Sequence, residues 1–233
     1  MVSAFSEKTL AQIVTEDYRA AGVFARHGLD FCCKGKRGLA SACAEKGIDA
    51  SQLAEELKTA LKTDAPVSDF NDYSVTELTG YIVRVHHSYI KLQGPQTYQF
   101  VTKVAVKHGD RYPYMKEVHA LFSELLEEMY GHMQQEEQGL FPRLVQLEQG
   151  LLQGSPDLVS MPIRLLEDEH TQAGELMAGI RELTHNYTAP EGACTTHRLA
   201  LQALQAFETD LHRHVHLENN ILFPKAMNEN KRK

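Results

Sequence analysis

The chain has 233 residues, of which 42% are hydrophobic and 24% are charged, and its formal net charge at pH 7 is -7. This composition is ordinary for a globular protein with one large or two modest domains. Because nucleic-acid binders usually carry a basic face, the acidic balance argues against a nucleic-acid partner. The N-terminus has no basic segment leading into an apolar run, and no run of about 18 apolar residues occurs, so neither secretion nor a membrane partner is expected.

Four cysteines are present, and two of them are adjacent in the sequence: Cys32, Cys33, Cys43 and Cys194. A disulfide between neighbouring residues closes only a strained ring, so this is not the framework of a secreted disulfide-rich domain. The cysteine pattern therefore predicts a reducing, cytoplasmic location.

Residues 1–63 predict a small helical domain without strands. Short helices are expected over 9–14, 18–26, 39–46 and 51–61. The loop between the second and third helices places Cys32 and Cys33 beside three cationic side chains. Nearby cations favour the thiolate form, which is the reactive and metal-binding form of cysteine. Inert packing of both cysteines is an equally good interpretation of the sequence.

Residues 64–73 lose helical periodicity and predict a linker. Residues 74–233 then predict four long amphipathic helices, over about 74–107, 114–147, 162–184 and 195–226. Fairly short connections between such helices are typical of an antiparallel four-helix bundle, whose binding sites are built from inward side chains of facing helices. The predicted fold class is all-α.

One sequence pattern, H-x-x-x-E-x-x-x-L-F-P followed by a basic residue, occurs at 132–143 and again at 214–225. Residues four apart lie on one face of a helix, so each copy directs an imidazole and a carboxylate to the same point. Both pairs lie in apolar stripes, where an unpaired carboxylate would cost roughly several kcal/mol. A pair of metal ligands in each copy is therefore favoured over hydrogen-bonded core residues. The proline is expected to end or kink each helix.

Histidines on the inward faces of the first and third bundle helices complete a set of six candidate ligands: His86, His132, Glu136, His170, His214 and Glu218. Carboxylates can bridge two ions whereas imidazoles cannot. We therefore expect Glu136 and Glu218 to bridge two metal ions, each of which takes two histidines. Such mixed ligation suits iron, manganese or zinc and leaves open coordination positions.

The remaining histidines are expected to lie outside the site. His87 is about 100° from His86 around the helix. His212 and His216 lie about 200° from His214, on a strip that is expected to face solvent. That strip includes Glu208 and Asn219.

Two further glutamates are adjacent to candidate ligands in the sequence: Glu137 follows Glu136, and Glu169 precedes His170. Carboxylates in such positions often orient a ligating imidazole through its second nitrogen. Both glutamates therefore either orient an imidazole or lie on a solvated face.

Several short motifs occur in one order along the chain, at 30–35 (D-x-C-C-x-G), 83–86, 132–137, 169–176, 193–196 and 214–220. In this combination the chain resembles, nearly end to end, the iron-sulfur cluster repair di-iron proteins, known as the repair of iron centres family. The resemblance implies a hemerythrin-like bundle that holds two iron ions in an oxo- or hydroxo-bridged centre, with the six ligands named above. It also implies a cytoplasmic bacterial protein that restores iron-sulfur clusters damaged by nitrosative or oxidative stress, with the adjacent cysteines involved.

Three functions stay open from the sequence, and only one of them is an enzymatic activity. The centre is an iron source, with Cys32 and Cys33 as relay thiols that pass metal to iron-sulfur client proteins. Alternatively it reduces nitric oxide to nitrous oxide, or it binds or senses small diatomic ligands such as NO and O2. The last is weaker, because a hemerythrin oxygen site has five histidines. A monomer and a homodimer are both compatible with the sequence.

Overall fold

The computed structural model describes residues 5, 7–62, 70–152 and 154–231. The N-terminal part contains four short helices: α1 (Leu10–Glu16), α2 (Ala20–Arg26), α3 (Leu39–Lys46) and α4 (Ala50–Ala60). Thr9 begins α1 with a capping box, in which side chain and backbone satisfy each other's unpaired groups. Gly47 ends α3 in the left-handed conformation, with φ of 67°, which glycine adopts without steric cost.

The second part consists of four long helical segments, two of which follow the predicted bounds closely. The segments are α5 (Val75–Ile82) with α6 (Ser88–His108); α7 (Tyr114–Gln135) with α8 (Phe141–Glu148); α9 (Asp157–Leu183); and α10 (Thr195–Leu217) with α11 (Phe223–Lys231). The third segment begins at Asp157, earlier than predicted. The predicted all-α class and helical bundle are confirmed.

Three of these segments contain one turn of π-helix, at Val83–His87, Glu136–Leu140 and Glu218–Leu222. We expected each Phe-Pro step to end or kink its helix. The expectation that the helix ends there is wrong, because the chain continues as α8 and as α11. In a regular α-helix the proline ring crowds the carbonyl four residues back. A π turn bonds five residues back and so accommodates the proline, and such turns often occur at functional sites.

The buried apolar side chains form two clusters at different levels of the bundle. One includes α1 to α4 together with bundle residues such as Ile90, Leu125 and Phe207. The other includes Leu78, Leu144 and neighbours near the opposite end. Between them, the long segments carry buried histidines and glutamates instead. The apolar clusters therefore enclose a polar layer at the level of the π turns, and the first cluster joins the N-terminal helices to the bundle.

The predicted linker, 64–73, falls mostly outside the described residues. Its last part contains a short 3₁₀ turn, Phe70–Asp72, in which Phe70 is buried. Within the ranges that the structure describes, no helix is long and apolar enough to span a bilayer.

Candidate metal centre

The polar layer contains two groups of four side chains that share both glutamates. The first group consists of His132, Glu136, His170 and Glu218, and the second of His87, Glu136, His214 and Glu218. In each group the nitrogen and oxygen atoms that could bind a cation lie within 4.8 Å of one another. All the members are at most 2% exposed. Each group therefore offers two imidazoles and two carboxylates that could hold a cation, and both carboxylates are common to the two groups.

Most of the imidazoles in this layer are oriented by an oxygen that accepts a hydrogen bond from Nδ1. His132 donates to Glu169 at 2.7 Å, and His170 donates to the amide oxygen of Asn219 at 2.8 Å. A histidine whose Nδ1 carries the proton presents the lone pair of Nε2, which is the form that binds metal. Glu169 therefore orients an imidazole, which was one of its two predicted roles.

The same orientation is seen in the π turn of the first bundle segment, Val83–His87. His87 donates from Nδ1 to Glu137 at 2.7 Å, and His86 donates to Asp210 at 3.0 Å. Glu137 thus has the orienting role as well. The role of Asp210 was not predicted from the sequence. Asp210 lies on α10, whereas His86, whose imidazole it orients, lies on the first bundle segment.

The contacts in the layer require positive charge. The Nε2 atoms of His132 and His170 face each other at 3.0 Å although each Nδ1 is already hydrogen-bonded to an oxygen. Both carboxylate oxygens of Glu136 and Oε2 of Glu218 are buried without a hydrogen bond, although His87 and His132 approach Glu136 at 3.3 Å. Burying such groups unpaired is costly, so the donor set fits bound cations.

In the absence of metal, protons partly supply this charge. Burial opposes charge on His132, but the carboxylates of Glu136 and Glu169 outweigh burial and raise the pKa of His132 to about 10. Burial would also raise the pKa of Glu218, but the neighbouring His214 holds it well below its usual value. Metal ions and protons therefore compete for the same atoms.

His87 belongs to one of the groups of four and His86 does not, whereas the sequence predicted His86 as the ligand. His86 is buried and stacks parallel to His214, with ring centroids 5.7 Å apart, but it belongs to neither group of four. His87, expected outside the site, is fully buried and lies 3.3 Å from Glu136. The Nε2 atoms of both histidines are buried without a hydrogen bond. The π turn at Val83–His87 explains the difference, since a wider turn changes the direction in which successive side chains point.

Two known domains and several related proteins match this chain. Residues 6–61 match a domain of unknown function (DUF542), and residues 78–226 match the hemerythrin HHE cation binding domain. The iron-sulfur cluster repair protein ScdA of Staphylococcus haemolyticus is 34% identical over 94% of this chain and 98% of its own length. The iron-sulfur cluster repair proteins YtfE of Yersinia pseudotuberculosis and Yersinia pestis are each 35% identical over 96% of this chain and 98% of theirs.

The chain belongs to the iron-sulfur cluster repair protein family. The family resemblance inferred from the motifs is thereby confirmed, and so is the hemerythrin-like character of the bundle. In this repair protein the N-terminal helices pack against one side of the bundle, next to the polar layer.

Part of the strip that was expected to face solvent is instead an interface, whereas Gln205 and Thr209 are exposed as predicted. His216 is 1% exposed, and Glu208 and Asn219 are also buried. The ring of Phe31 in the N-terminal part lies 5.8 Å from those of both His216 and His212. Burial lowers the pKa of His216 to about 3, so this imidazole is neutral at pH 7. The prediction failed because helical periodicity separates faces of one bundle and does not indicate that a second unit covers the outer face.

The loop with Cys32 and Cys33 lies against the third bundle helix. The Sγ atom of Cys33 is 3.3 Å from the carbonyl oxygen of His170. The carbonyl oxygen of Cys32 accepts from the amides of Asn220 at 3.2 Å and Asn219 at 3.5 Å. Asn219 therefore contacts both the cysteine loop and the imidazole of His170.

The expectation that neighbouring cations favour a thiolate at Cys32 is wrong. Hydrogen bonding to Cys33, burial and the nearby Asp30 carboxylate raise the pKa of Cys32 well above its usual value. Two of the loop cations have carboxylate partners elsewhere: Arg37 pairs with Glu45, and Lys36 lies 3.6 Å from Glu167. Cys32 is therefore a protonated thiol in the absence of a metal.

Proposed function

We propose that this protein holds two iron ions bridged by the carboxylates of Glu136 and Glu218, and that it restores damaged iron-sulfur clusters by supplying iron. The observation that carries the proposal is the pair of buried four-residue groups that share both glutamates. The names of the relatives, which are iron-sulfur cluster repair proteins, favour this function over nitric oxide reduction or ligand sensing.

The proposed ligands are five residues of the polar layer and one member of the His86–His87 pair. The five are His132, Glu136, His170, His214 and Glu218. The resemblance assigns the sixth position to His86, and the geometry favours His87, because its Nε2 lies next to Glu136. Iron supplies Lewis acidity and redox chemistry when it is bound. The protein supplies the oriented imidazoles and excludes water from the layer.

Release of iron requires a path from the buried layer, and a cavity reaches the layer on the His132 side. A cavity of about 450 Å³ is lined by His132, Gln135 and Glu169. The carboxylate that orients His132 is about one-third exposed. Protonation or displacement of Glu169 would therefore loosen one ligand without unfolding the bundle, as a labile iron source requires.

We assign distinct tasks to the two parts of the chain. Residues 74–233 hold the iron, residues 64–73 are the linker, and residues 1–63 bring Cys32 and Cys33 to the bundle as relay thiols for metal. The contact between Cys33 and the backbone of His170 supports this division. The protein acts in the cytoplasm under nitrosative or oxidative stress, where free thiols persist. Its clients are iron-sulfur proteins, small ligands such as NO and O2 reach the centre, and it works as a monomer or homodimer.

The test is anaerobic mixing of the iron-loaded protein with an enzyme whose iron-sulfur cluster has been damaged. Recovery of client activity should accompany loss of iron from the repair protein. Replacement of both Cys32 and Cys33 by Ser should leave iron content intact and slow recovery. His212→Ala is the matched control, because His212 lies at the interface but in neither group of four.

Two results would contradict the proposal. Turnover of nitric oxide by protein that keeps its iron and restores no client would favour the enzymatic alternative. Equal repair by the double cysteine variant and the unmodified protein would remove the relay role from Cys32 and Cys33 while leaving the metal centre unaffected.

A further inference from the structure

A second group of metal-binding side chains lies outside the polar layer. The potential ligand atoms of Asp30, Cys32 and Cys33 lie within 4.8 Å of one another. Oδ1 of Asp30 accepts from the backbone N–H of Cys32 at 3.1 Å and of Cys33 at 2.9 Å, and it also lies 3.3 Å from the Cys32 thiol. The two sulfur atoms are 3.7 Å apart and form no disulfide. One short loop thus holds two thiols and a carboxylate together.

The loop geometry depends on Gly35. A Cβ atom at this position would lie 2.1 Å from the carbonyl oxygen of Phe31 and 2.8 Å from Ala11. The carbonyl oxygen of Gly35 accepts from the N–H of Ala11 at 2.9 Å, which joins the loop to α1. The backbone of the loop that carries the three side chains is therefore held by its own contacts and by α1.

The group is open on one side. A cavity of about 720 Å³ lies between the N-terminal helices and α9, and Asp30 and Cys32 line it. Arg181, which also lines this cavity, pairs with Glu208 at 2.5 Å, so its charge is compensated. Three protein ligands with an open fourth position are typical of sites where metal exchanges or reacts, in contrast to closed structural sites.

On its other side the group adjoins the metal centre. Cys33 lies against α9 next to Gly174. A Cβ atom added to this glycine would lie 3.6 Å from the cysteine sulfur. Asn219 donates to the carbonyl oxygen of Cys32 and accepts from Nδ1 of His170. A metal ion at the loop would therefore be separated from a ligand of the buried centre by a single side chain or peptide group.

We propose that Asp30, Cys32 and Cys33 form a separate site that binds one ferrous ion through two thiolates and one carboxylate. Two S–H bonds are replaced by two sulfur–metal bonds, and two protons pass to solvent. Thiolate ligands select transition metals over magnesium and calcium, which prefer oxygen. A role for this site as a station between the buried centre and a client rests on the proposed function, whereas metal binding at the loop does not.

The site can be tested with Co²⁺, a spectroscopic substitute for Fe²⁺, added anaerobically to the reduced full chain. Thiolate ligation produces sulfur-to-cobalt charge-transfer absorption, which histidine and carboxylate ligation in the bundle does not. We expect the absorption at saturation to correspond to one thiolate-bound cobalt ion per chain and to disappear in the Cys32→Ser, Cys33→Ser double variant. Asp30→Asn keeps an oxygen acceptor for the loop and should weaken binding by at least about tenfold.

Two control variants make the outcomes distinct. Cys194 is exposed and lies 3.5 Å from His108, so it is the competing thiol, and Cys194→Ser should leave the absorption unchanged. His132→Ala impairs the buried centre and should also leave it unchanged. No charge-transfer absorption, or absorption that survives the double cysteine variant and is lost in Cys194→Ser, would overturn the proposal. Failure of cluster repair with the absorption intact would instead contradict the proposed function.

Discussion

Removal of metal should destabilise the protein, and the geometry of Glu136 sets the scale. Without a cation, both oxygens of this fully buried carboxylate lack a hydrogen bond. Leaving a buried charge without its partner costs about 3–5 kcal/mol. For a chain of this size, each kcal/mol shifts Tm by about 2–4 °C, so chelation should lower Tm by about 6–20 °C. Protonation of His132 compensates part of the lost charge, so the lower half of this range is expected.

The assay is thermal unfolding of metal-loaded and chelated protein at pH 7, followed by circular dichroism. The informative variant is Glu136→Gln, which has nearly the same shape and no charge. Its metal-free form should melt above the metal-free unmodified protein, and chelation should change its Tm much less. An unchanged Tm after chelation of protein shown to have contained metal would refute the reasoning, because the buried groups would then be satisfied without a cation.

Two further substitutions test individual contacts in the centre. His87→Ala should lower iron content whereas His86→Ala should leave two irons bound, as measured by metal analysis; the opposite result would restore the assignment made from the sequence. Asn219→Ala removes the acceptor for Nδ1 of His170 and should weaken metal binding by about 10–100-fold in competition with a chelator. Asn220→Ala, which removes contacts to the cysteine loop and to His216 but none to His170, is the control. Equal loss in both variants would show that the effect comes from the loop.

The two His–Glu pairs could be predicted from the sequence because their spacing of four depends only on local helix geometry. His132 with Glu136, and His214 with Glu218, share one face whatever surrounds the helix. The sharing of both glutamates between two groups also follows from chemistry, since only the carboxylates can bridge.

The choice between His86 and His87 could not be made in this way. Periodicity assumes regular α-helix, and the π turn changes the direction of the side chains. Both imidazoles are consequently buried. In the sequence, a Phe-Pro step shortly after each His–Glu pair indicates that the helix departs from regular geometry at that point. The first bundle segment has no such step after His86 and His87, so its π turn could not be predicted.

The burial of His216 and the protonated state of Cys32 share another cause. The burial of His216 depends on contact between the N-terminal part and the bundle. The protonated state of Cys32 depends in part on Asp30, which the loop geometry places beside the thiol. A count of charged neighbours along the chain gives no information on which of them lies close in space. The sequence predicted which chemical groups are present, and the packing determines their charge.

Whether the buried layer holds two iron ions is tested most directly by the iron content of the full chain purified from iron-replete cells. We expect two irons per chain, with a clear reduction in Glu218→Ala because one bridging carboxylate is lost. One iron or none per chain in the unmodified protein, or full iron content in Glu218→Ala, would contradict this expectation.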